Sequence, residues 1–328
     1  MEKTNLPYDK HAILYAPMEG VTDPVYRETV MKLFPEWNMF ATDFLRVPTE
    51  GFVTHKRVIE HFGENIFNTP ELKAKTTYQI LTTPRANTEQ TVEVINDLDF
   101  YHLDLNLGCP SRRVNAHLGG SYLLSDLKLL EQVVSGIRKK FNRCFTVKIR
   151  AGYKDDNDFD EIIKTLSGCG VDAITIHGRT KVEMYKGFAQ WKYFSRACEL
   201  TDTPIIANGD IWTPEDIHQI FSETDCYGVM CGRSAMKTPW LAQLYFLFKQ
   251  GKVLGPEQRL NLRTEYNNLY FNALEKSLSQ TLDEAKTLKR LKALIRYSFE
   301  DYDDGENFKR TLLRSSDFKF FTTEISSL

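Results

Sequence analysis

The chain has 328 residues, of which 42% are hydrophobic and 26% are charged, and its formal net charge is -2. This composition is typical of a globular protein with a sizeable core, and it argues against a uniformly basic nucleic-acid-binding protein. The length exceeds one average domain, but it fits a single α/β barrel of about 250 residues with a small second unit.

The cysteines and the N-terminal residues narrow the class of protein further. The six cysteines form no C-x-x-C pair and no Cys/His spacing typical of a zinc site. We therefore expect a reduced, cytoplasmic protein without a structural metal. Residues 1–11 are polar and mixed in charge, which is not typical of a signal peptide or a presequence. Because no apolar stretch approaches the roughly 18 residues of a membrane span, we expect no membrane association.

Short apolar segments, rich in β-branched and aromatic residues, alternate along the chain with segments of helical period. Helix-start signals at residues 22–24, 125–126 and 213–216 predict helices that follow them, at 25–33, 127–139 and 217–221. Residues 48–70, in contrast, lack a clear period. Eight strand and helix units favour a closed (β/α)₈ barrel, a TIM barrel, over an open sheet. The predicted strands are residues 12–18, 39–44, 76–81, 101–107, 145–150, 173–177, 204–208 and 227–231.

Beyond a last barrel helix near residues 240–251, the pattern becomes entirely helical. We predict helices at 257–274, 282–299 and 306–314, and no strand after residue 256. The chain therefore divides into a barrel domain, residues 1–250, and a C-terminal all-helical domain, residues 251–328.

Residues 103–111 read as a buried strand that ends at Gly108 and presents Cys109 in a turn. The carboxyl ends of the strands are where parallel α/β folds keep their chemistry. A lone cysteine at such a position is often only a small buried apolar residue. Asn106 and the pair Gly119-Gly120 provide more polar and backbone-exposing groups than core packing requires, so we interpret Cys109 as functional.

Glycines at the ends of the seventh and eighth strands, Gly209 and Gly232, predict a phosphate site. Glycine allows backbone amides to approach an anion, and Arg233 adds positive charge, although either glycine alone could equally mark a turn. Lys148 ends an otherwise apolar strand, where burial is costly unless the amine meets a negative group. Beside a phosphate-anchored ring cofactor, this lysine would stabilise negative charge on the ring, as a reduced flavin requires.

Five motifs lie at the predicted strand ends, at residues 16–23, 106–110, 147–150, 177–180 and 208–210. Together they resemble the tRNA-dihydrouridine synthase family over residues 12–239, and the helical tail is similar in size and position to the RNA-binding domain of that family. The Asn-x-x-Cys-Pro element alone also occurs in dihydroorotate dehydrogenases. Two departures are residues 81–84 and Leu118, because family members commonly carry glycine at these places.

The resemblance implies a bound FMN over the barrel mouth, with NADPH or NADH as the transient reductant. It implies that Asn106 contacts the substrate uracil and that Cys109 is the catalytic acid. It places Arg150 and Arg179 near anions of the substrate or cofactor. A thiol with an ordinary pKa of about 8.5 stays mostly protonated at neutral pH, so it can serve as the acid. The implied cofactor contacts are Pro17, Met18, Glu19, Gln79, Lys148, His177, Asn208, Gly209, Asp210, Gly232 and Arg233.

A target uridine within folded RNA must leave its stack to reach a barrel mouth, which is cheapest in a loop. The surface that binds tRNA must then be locally basic, and the predicted helix at 282–299 carries an apolar face and a basic face. The alternative is an ordinary solvated face. The candidate contacts on this helix are Lys286, Lys289, Arg290, Lys292 and Arg296, and Arg112, Arg113, Lys181 and Lys186 would continue the path toward the active site.

The leading interpretation is an FMN-dependent enzyme that reduces a uridine of the tRNA D-loop to 5,6-dihydrouridine. No G-x-G-x-x-G unit follows a strand, so the nicotinamide is expected to visit the flavin without a dinucleotide-binding domain of its own. One alternative is a small-molecule FMN dehydrogenase of dihydroorotate type, for which a basic tail has no purpose. Another is a noncatalytic RNA-binding barrel. Glu19 and residues 42–47 and 208–212 resemble the bacterial subgroup acting at D-loop position sixteen. We expect a monomer, because no repeated apolar surface stripe stands out.

Overall fold

The computed structural model describes residues 5–252, 254–299 and 305–326. Its strands run parallel, and the β1–β9 and β2–β4 pairings close the sheet into an eight-stranded barrel, which confirms the predicted fold class. The two-residue strand β3 pairs with β4 beyond the point where β2 ends. The strands are β1 (Ala12–Tyr15), β2 (Met39–Ala41), β3 (Leu45–Arg46), β4 (Thr76–Leu81), β5 (His102–Leu107), β6 (Cys144–Arg150), β7 (Ala173–His177), β8 (Ile205–Asn208) and β9 (Gly228–Cys231).

The predicted second strand, residues 39–44, is shorter in the structure, because β2 ends at Ala41 and β3 begins only at Leu45, after the predicted end. The hydroxyl of Thr42 accepts a hydrogen bond from the backbone N–H of Gln79 at 2.9 Å. A side chain therefore takes the donor that a strand carbonyl would otherwise take, and the regular ladder is interrupted.

Helices follow the strands as the alternating pattern predicts, and a 3₁₀ helix covers Gly120–Ser125. The aperiodic residues 48–70 contain short helices, because Gly63, at φ +102°, ends one helix and Pro70 begins another. The barrel helices are α1 (Pro24–Leu33), α2 (His55–Phe62), α3 (Glu64–Asn68), α4 (Pro70–Ala74), α5 (Thr88–Asp97), α6 (Arg112–Asn115), α7 (Leu127–Lys140), α8 (Phe159–Gly168), α9 (Lys192–Leu200), α10 (Pro214–Glu223), α11 (Arg233–Lys237) and α12 (Leu241–Lys249).

The predicted helix starts are confirmed at three caps. The side chains of Asp23, Asp126 and Thr213 each accept a backbone N–H at the start of α1, α7 and α10. Thr213 and Asp216 form a reciprocal capping box. These contacts fix where the helices begin, and therefore the length of the loops that line the barrel mouth.

The alternation of side chains along β5 separates an apolar layer from a polar one. Leu103, Leu105 and Leu107 are fully buried in the main hydrophobic core. The intervening residues His102, Asp104 and Asn106 make side-chain hydrogen bonds to residues of the neighbouring strands β4 and β6. A period of two therefore places polar groups along one face of β5, leading to the mouth where the strand ends.

The C-terminal helices are α13 (Pro256–Leu278), α14 (Glu284–Ile295), α15 (Gly305–Arg314) and α16 (Phe318–Ser326). Helix α16 has no counterpart in the prediction, and the predicted helix at 282–299 ends earlier, at Ile295. Tyr270 of α13 packs edge-on against Tyr26 of α1, with ring centroids 6.1 Å apart, and Arg290 of α14 donates to the carbonyl of Gly20 at 2.6 Å. The tail is thus docked on the first strand–helix unit, while the proposed domain boundary at residue 250 stays a prediction.

Trp37 joins the start of the barrel to the segment before α12. Its ring is fully buried and lies 4.8 Å from the ring of Tyr15, and its indole N–H donates to the carbonyl of Pro239 at 2.6 Å. We expect Trp37→Phe to lower the free energy of unfolding by about 2 kcal/mol, because it removes buried atoms and leaves a buried carbonyl without that donor. Urea unfolding followed by circular dichroism measures the change.

The same substitution at Trp212, which is 39% exposed, serves as the control and should change the free energy by no more than about 0.5 kcal/mol. Equal effects at the two sites would contradict the role assigned to Trp37.

Candidate active site

A pocket of about 540 Å³ opens at the carboxyl ends of β1, β6, β7, β8 and β9. Most of the predicted cofactor residues line it, which brings together groups separated by more than 200 positions in the chain. The predicted residues in the lining are Pro17, Met18, Lys148, His177, Asn208, Gly209, Asp210, Gly232 and Arg233.

Asp210 accepts several hydrogen bonds at one end of this pocket. Its carboxylate accepts from Arg179 at 2.6 Å, from Arg233 at 2.7 Å and from the backbone N–H of Ala189 at 2.8 Å. The preceding Gly209 has φ +115°, and a Cβ there would lie 2.8 Å from a ring carbon of His177 and 2.9 Å from Ala189 Cβ. Both the backbone angle and the close packing therefore require glycine at this strand end.

Positive charge exceeds negative charge in the pocket. Burial, reinforced by the nearby cations Lys148, Arg150, Arg179 and Arg233, holds the pKa of His177 far below its usual range. The imidazole is therefore neutral at physiological pH, and the described lining contains the carboxylate of Asp210 against two cations, Lys148 and Arg233, with Arg150 and Arg179 close behind them. Such a surplus fits a dianionic phosphate, which would balance the field.

The side chain of Lys148 extends from β6 toward the other charges of the pocket. Its amine donates to the side-chain carbonyl of Asn208 at 2.9 Å, and the amide of Asn208 donates in turn to the carbonyl of Met230 at 2.7 Å. Burial, together with the charge of Arg150, lowers the pKa of Lys148 to about 8, although Asp104 opposes this shift. The amine is therefore a partly buried cation whose charge is stabilised by an anionic neighbour.

The loop after β5 holds Cys109 in a fixed place. The side-chain oxygen of Asn106 accepts from the backbone N–H groups of Gly108 at 3.1 Å and Cys109 at 2.9 Å. The carbonyl of Cys109 accepts from the hydroxyl of Ser121 at 2.9 Å and the amide of Asn115 at 3.0 Å. Burial is the main cause that raises the pKa of the Cys109 thiol, so the thiol is protonated at neutral pH.

The glycine pair packs against this loop. Gly120 has φ +58°, and a Cβ there would lie 3.0 Å from the carbonyl oxygen of Cys109. A Cβ at Gly119 would lie 2.7 Å from the carbonyl oxygen of Thr82. Leu118 adopts φ +62°, the left-handed region that favours glycine. The departure at Leu118 thus keeps the loop shape at a cost in backbone strain.

Two predicted cofactor residues lie apart from the pocket lining. Gln79 is fully buried, and its amide donates to Asp104 at 2.7 Å and accepts from Asn106 at 2.9 Å. Glu19 lies at the surface in an ion pair with Arg46 at 3.0 Å. Gln79 therefore supports the site from within the barrel, and Glu19 lies on its rim.

Arg150 and Arg179 are buried and organise the loops around the mouth. Arg150 donates to the carbonyls of Gly108 at 2.9 Å and Thr180 at 3.0 Å. Arg179 donates to the carbonyl of Lys186 at 3.1 Å, in addition to its ion pair with Asp210. These contacts tie the Cys109 loop to the loop after β7, a role that strand-end motifs do not indicate.

Pattern reading missed the aromatic residues of the rim. Tyr185 lines the pocket, and its ring lies 5.5 Å from the guanidinium of Arg150 and 5.4 Å from that of Arg233. Trp212 also lines it, 5.3 Å from Arg233. Their one sequence signal is an aromatic residue in a loop shortly after a barrel strand.

The basic residues of α14 divide into two groups. Lys286, Lys289 and Arg296 are exposed. Arg290 instead bonds to the carbonyl of Gly20 and the carboxylate of Asp23, and Lys292 bonds to the carbonyl of Ser315. The last two side chains, expected to face RNA, therefore tie α14 to the rest of the protein. The remaining predicted basic contacts, Arg112, Arg113, Lys181 and Lys186, lie in α6 and in the loop after β7, and Arg112 and Arg113 are exposed.

Two kinds of feature are absent from the part of the chain that the structure describes. No group of three or more His, Cys, Asp or Glu side chains within residues 5–252, 254–299 and 305–326 could hold a metal ion. No helix in the same ranges combines the length and the apolar character that crossing a bilayer requires.

Among solved structures, the chain is similar in fold to histamine dehydrogenase from Rhizobium sp. 4-9, with a TM-score of 0.55 and 12% identity. The match covers 75% of this chain and 47% of that one. A 2-naphthoyl-CoA reductase matches with a TM-score of 0.52 and 10% identity, over 74% of this chain and 50% of that one. At such low identity these likenesses concern the barrel fold alone.

Sequence similarity to known proteins extends over most of the chain. A tRNA-dihydrouridine(16) synthase of Haemophilus influenzae is 29% identical over 309 residues, which cover 89% of this chain and 92% of the relative. A tRNA-dihydrouridine synthase B of Pasteurella multocida is 31% identical, over 75% of this chain and 73% of the relative. The sequence model of the family described as Dihydrouridine synthase (Dus) matches residues 14–322, which include the barrel, the pocket, the Cys109 loop and most of the tail. The chain therefore belongs to the dihydrouridine synthase family.

Proposed function

We propose that this protein is a tRNA-dihydrouridine synthase that reduces one D-loop uridine to 5,6-dihydrouridine, using FMN and electrons from NADPH or NADH. The observation that carries the proposal is the meeting, at one barrel mouth, of a protonated thiol with a cation-rich, glycine-lined pocket. Family membership supports the reaction class. Position sixteen is the proposed target, on the likeness of residues 19, 42–47 and 208–212, and a monomer is the proposed state.

The charge and the lining residues of the pocket suit FMN. Arg233 and the backbone beside Gly209 and Gly232 would hold the phosphate, where the surplus of positive charge lies. Pro17 and Met18 would contact the ring, and Lys148 would face its polar edge. When bound, FMN supplies the hydride that C6 of the uracil receives.

Cys109 supplies the proton that C5 requires. Its sulfur is buried, so the thiol keeps its proton until the base is in place. Arg150 and Arg46 lower the pKa of this thiol against the larger effect of burial, and they would stabilise the thiolate that remains. One N–H of the Asn106 amide is used on Gln79, so the other can donate to a uracil carbonyl.

Exposed cations provide the proposed surface for the tRNA backbone. Lys286, Lys289 and Arg296 face solvent on and just after α14, and Arg112 and Arg113 follow the Cys109 loop. Because the net charge is -2, such an attraction would be local and not a property of the whole protein.

Mapping dihydrouridine in tRNA from cells that lack this protein tests the proposed function. Loss of the modification at position sixteen, restored by the intact gene, is expected. Unchanged dihydrouridine at every position would contradict the proposal, and a purified protein without bound flavin would favour the noncatalytic alternative.

Replacing the proposed acid should separate chemistry from cofactor binding. We expect Cys109→Ala to retain bound FMN, because the thiol does not line the pocket, and to lower the rate of dihydrouridine formation by at least about a hundredfold. Single-turnover assays and the flavin absorption spectrum measure the two properties. Cys198→Ala, at a half-buried thiol on α9, is the control and should keep the parental rate.

The affinity for FMN should depend on pH through Lys148. Since its pKa is lowered to about 8, the amine loses its charge as the pH rises through that value. The dissociation constant of FMN from the flavin-free protein is expected to increase between pH 7 and pH 9, measured by fluorescence titration. Lys148→Met should weaken binding at pH 7 and remove this alkaline change, whereas Lys128→Met on α7 should do neither.

Reversing the exposed cations of the tail should weaken tRNA binding without loss of flavin. For Lys286→Glu, Lys289→Glu and Arg296→Glu combined, we expect weaker binding and a salt dependence whose slope falls by about one for each phosphate that the variant no longer neutralises. Filter binding at several salt concentrations measures both. The same reversal at Lys128, Lys139 and Lys164 on α7 and α8 adds equal charge elsewhere, and equal weakening by the two sets would remove the tail from the interface.

A further inference from the structure

Polar side chains of β4, β5 and β6 form one continuous hydrogen-bonded chain inside the barrel. The first arm runs from Asp104 to the Cys109 loop. The second arm runs from Asp104 in the other direction, to Thr77. Along the first arm, Gln79 bonds to Asp104 at 2.7 Å, Asn106 to Gln79 at 2.9 Å, and the backbone N–H of Cys109 to Asn106 at 2.9 Å. Asp104 is 6% exposed, and its carboxylate is the point where the arms meet.

The direction of every bond in the first arm follows from the carboxylate. An ionised Asp104 only accepts, so the amide nitrogen of Gln79 must face it. The oxygen of Gln79 then faces the amide nitrogen of Asn106, and the oxygen of Asn106 faces the N–H of Cys109. If Gln79 turned over, its NH₂ group would face the NH₂ group of Asn106. Asn106 would then have to turn as well, and the Cys109 loop would lose the side-chain oxygen that accepts from it.

The hydrogen bonds of the second arm are also directed toward Asp104. Thr146 donates to Asp104 at 2.6 Å, so its oxygen accepts from His102 at 2.9 Å, and the other ring nitrogen of His102 accepts from Thr77 at 2.8 Å. Burial lowers the pKa of His102 to about 3, which keeps the ring neutral with a single N–H. Both arms therefore donate toward Asp104.

We propose that ionised Asp104 is a positioning residue for the reaction, because it holds the amides of Gln79 and Asn106 in the one orientation that fixes the Cys109 loop. The same orientation leaves an N–H of Asn106 free for the base, and this part of the inference rests on the proposed function. When Asp104 carries a proton, one of its oxygens becomes a donor, so the amide of Gln79 can turn its oxygen toward that O–H and reverse the first arm.

Asp104 is poised to change charge near neutral pH. Burial raises its pKa to about 6, against the hydrogen bonds from Thr146 and Gln79 and the charge of Lys148. The ionisable groups that face it are His102 on β5, Lys148 and Cys144 on β6, and Tyr8 before β1. None of these changes charge between pH 5 and pH 7, since the pKa of His102 is about 3, that of Lys148 is about 8, and burial raises those of Cys144 and Tyr8.

A pH series on three forms of the holoenzyme tests the proposal. For the parental enzyme, kcat should fall as the pH drops through about 6 and reach roughly one tenth at pH 5, while the KM for tRNA stays constant. Thr146→Val removes one donor to the carboxylate and should move this fall to higher pH. Asp104→Asn has no proton to gain and should show no fall in this range.

A spectroscopic measurement does not depend on activity. In the full-length protein labelled with ¹⁵N at Asn and Gln, the side-chain amide signals of Gln79 and Asn106 should shift with the same midpoint as kcat. Asn96, whose amide bonds to the carbonyl of Lys140, should not shift. In Asp104→Asn, the pH-dependent shift of both signals should disappear.

Persistence of the acid fall in Asp104→Asn, or amide signals that stay constant across it in the parental protein, would overturn the positioning role. A parental protein that forms no dihydrouridine at any pH would instead contradict the proposed function. In that case the amide signals still decide whether Asp104 sets the orientation of Gln79 and Asn106.

Discussion

Closure of the barrel is the constraint on which the rest of the structure depends. The β1–β9 and β2–β4 pairings force the carboxyl ends of the parallel strands around one opening. Groups as distant in the chain as Met18 and Arg233 therefore line one pocket. Because each strand alternates its side chains, the same closure directs the polar residues of β5 and β6 toward one another and leaves the leucines of β5 for the core.

The positive charges at this mouth disfavour one another. Burial together with nearby cations depresses the pKa of Lys148 and of His177, so each disfavours an additional positive charge. Asp210 offsets Arg179 and Arg233 in part. An anionic ligand would relieve the remaining repulsion, which explains how cations can be concentrated in a protein whose net charge is slightly negative.

The tail is joined to the barrel near the pocket and not at a remote surface. Arg290 of α14 bonds to the carbonyl of Gly20 and to Asp23, in the segment between β1 and α1 that follows Met18. A proposed RNA-binding helix thus rests directly on a loop of the pocket. Its orientation depends on this contact together with the packing of Tyr270 on Tyr26.

The sequence by itself determined the features that local rules control. Period and helix caps identified the eight strand–helix units and the helical tail, and glycines at strand ends located the pocket, because backbone angle and side-chain alternation depend on neighbours in the chain. Tertiary structure alone decided which distant partner each polar side chain meets. Arg290 and Lys292 turned inward to carbonyl oxygens, Gln79 became part of a buried chain, and Thr42 ended a strand by accepting one N–H. The physical reason is that a buried polar group must be paired, and the atoms available to pair it are set by packing between elements, which no local pattern records.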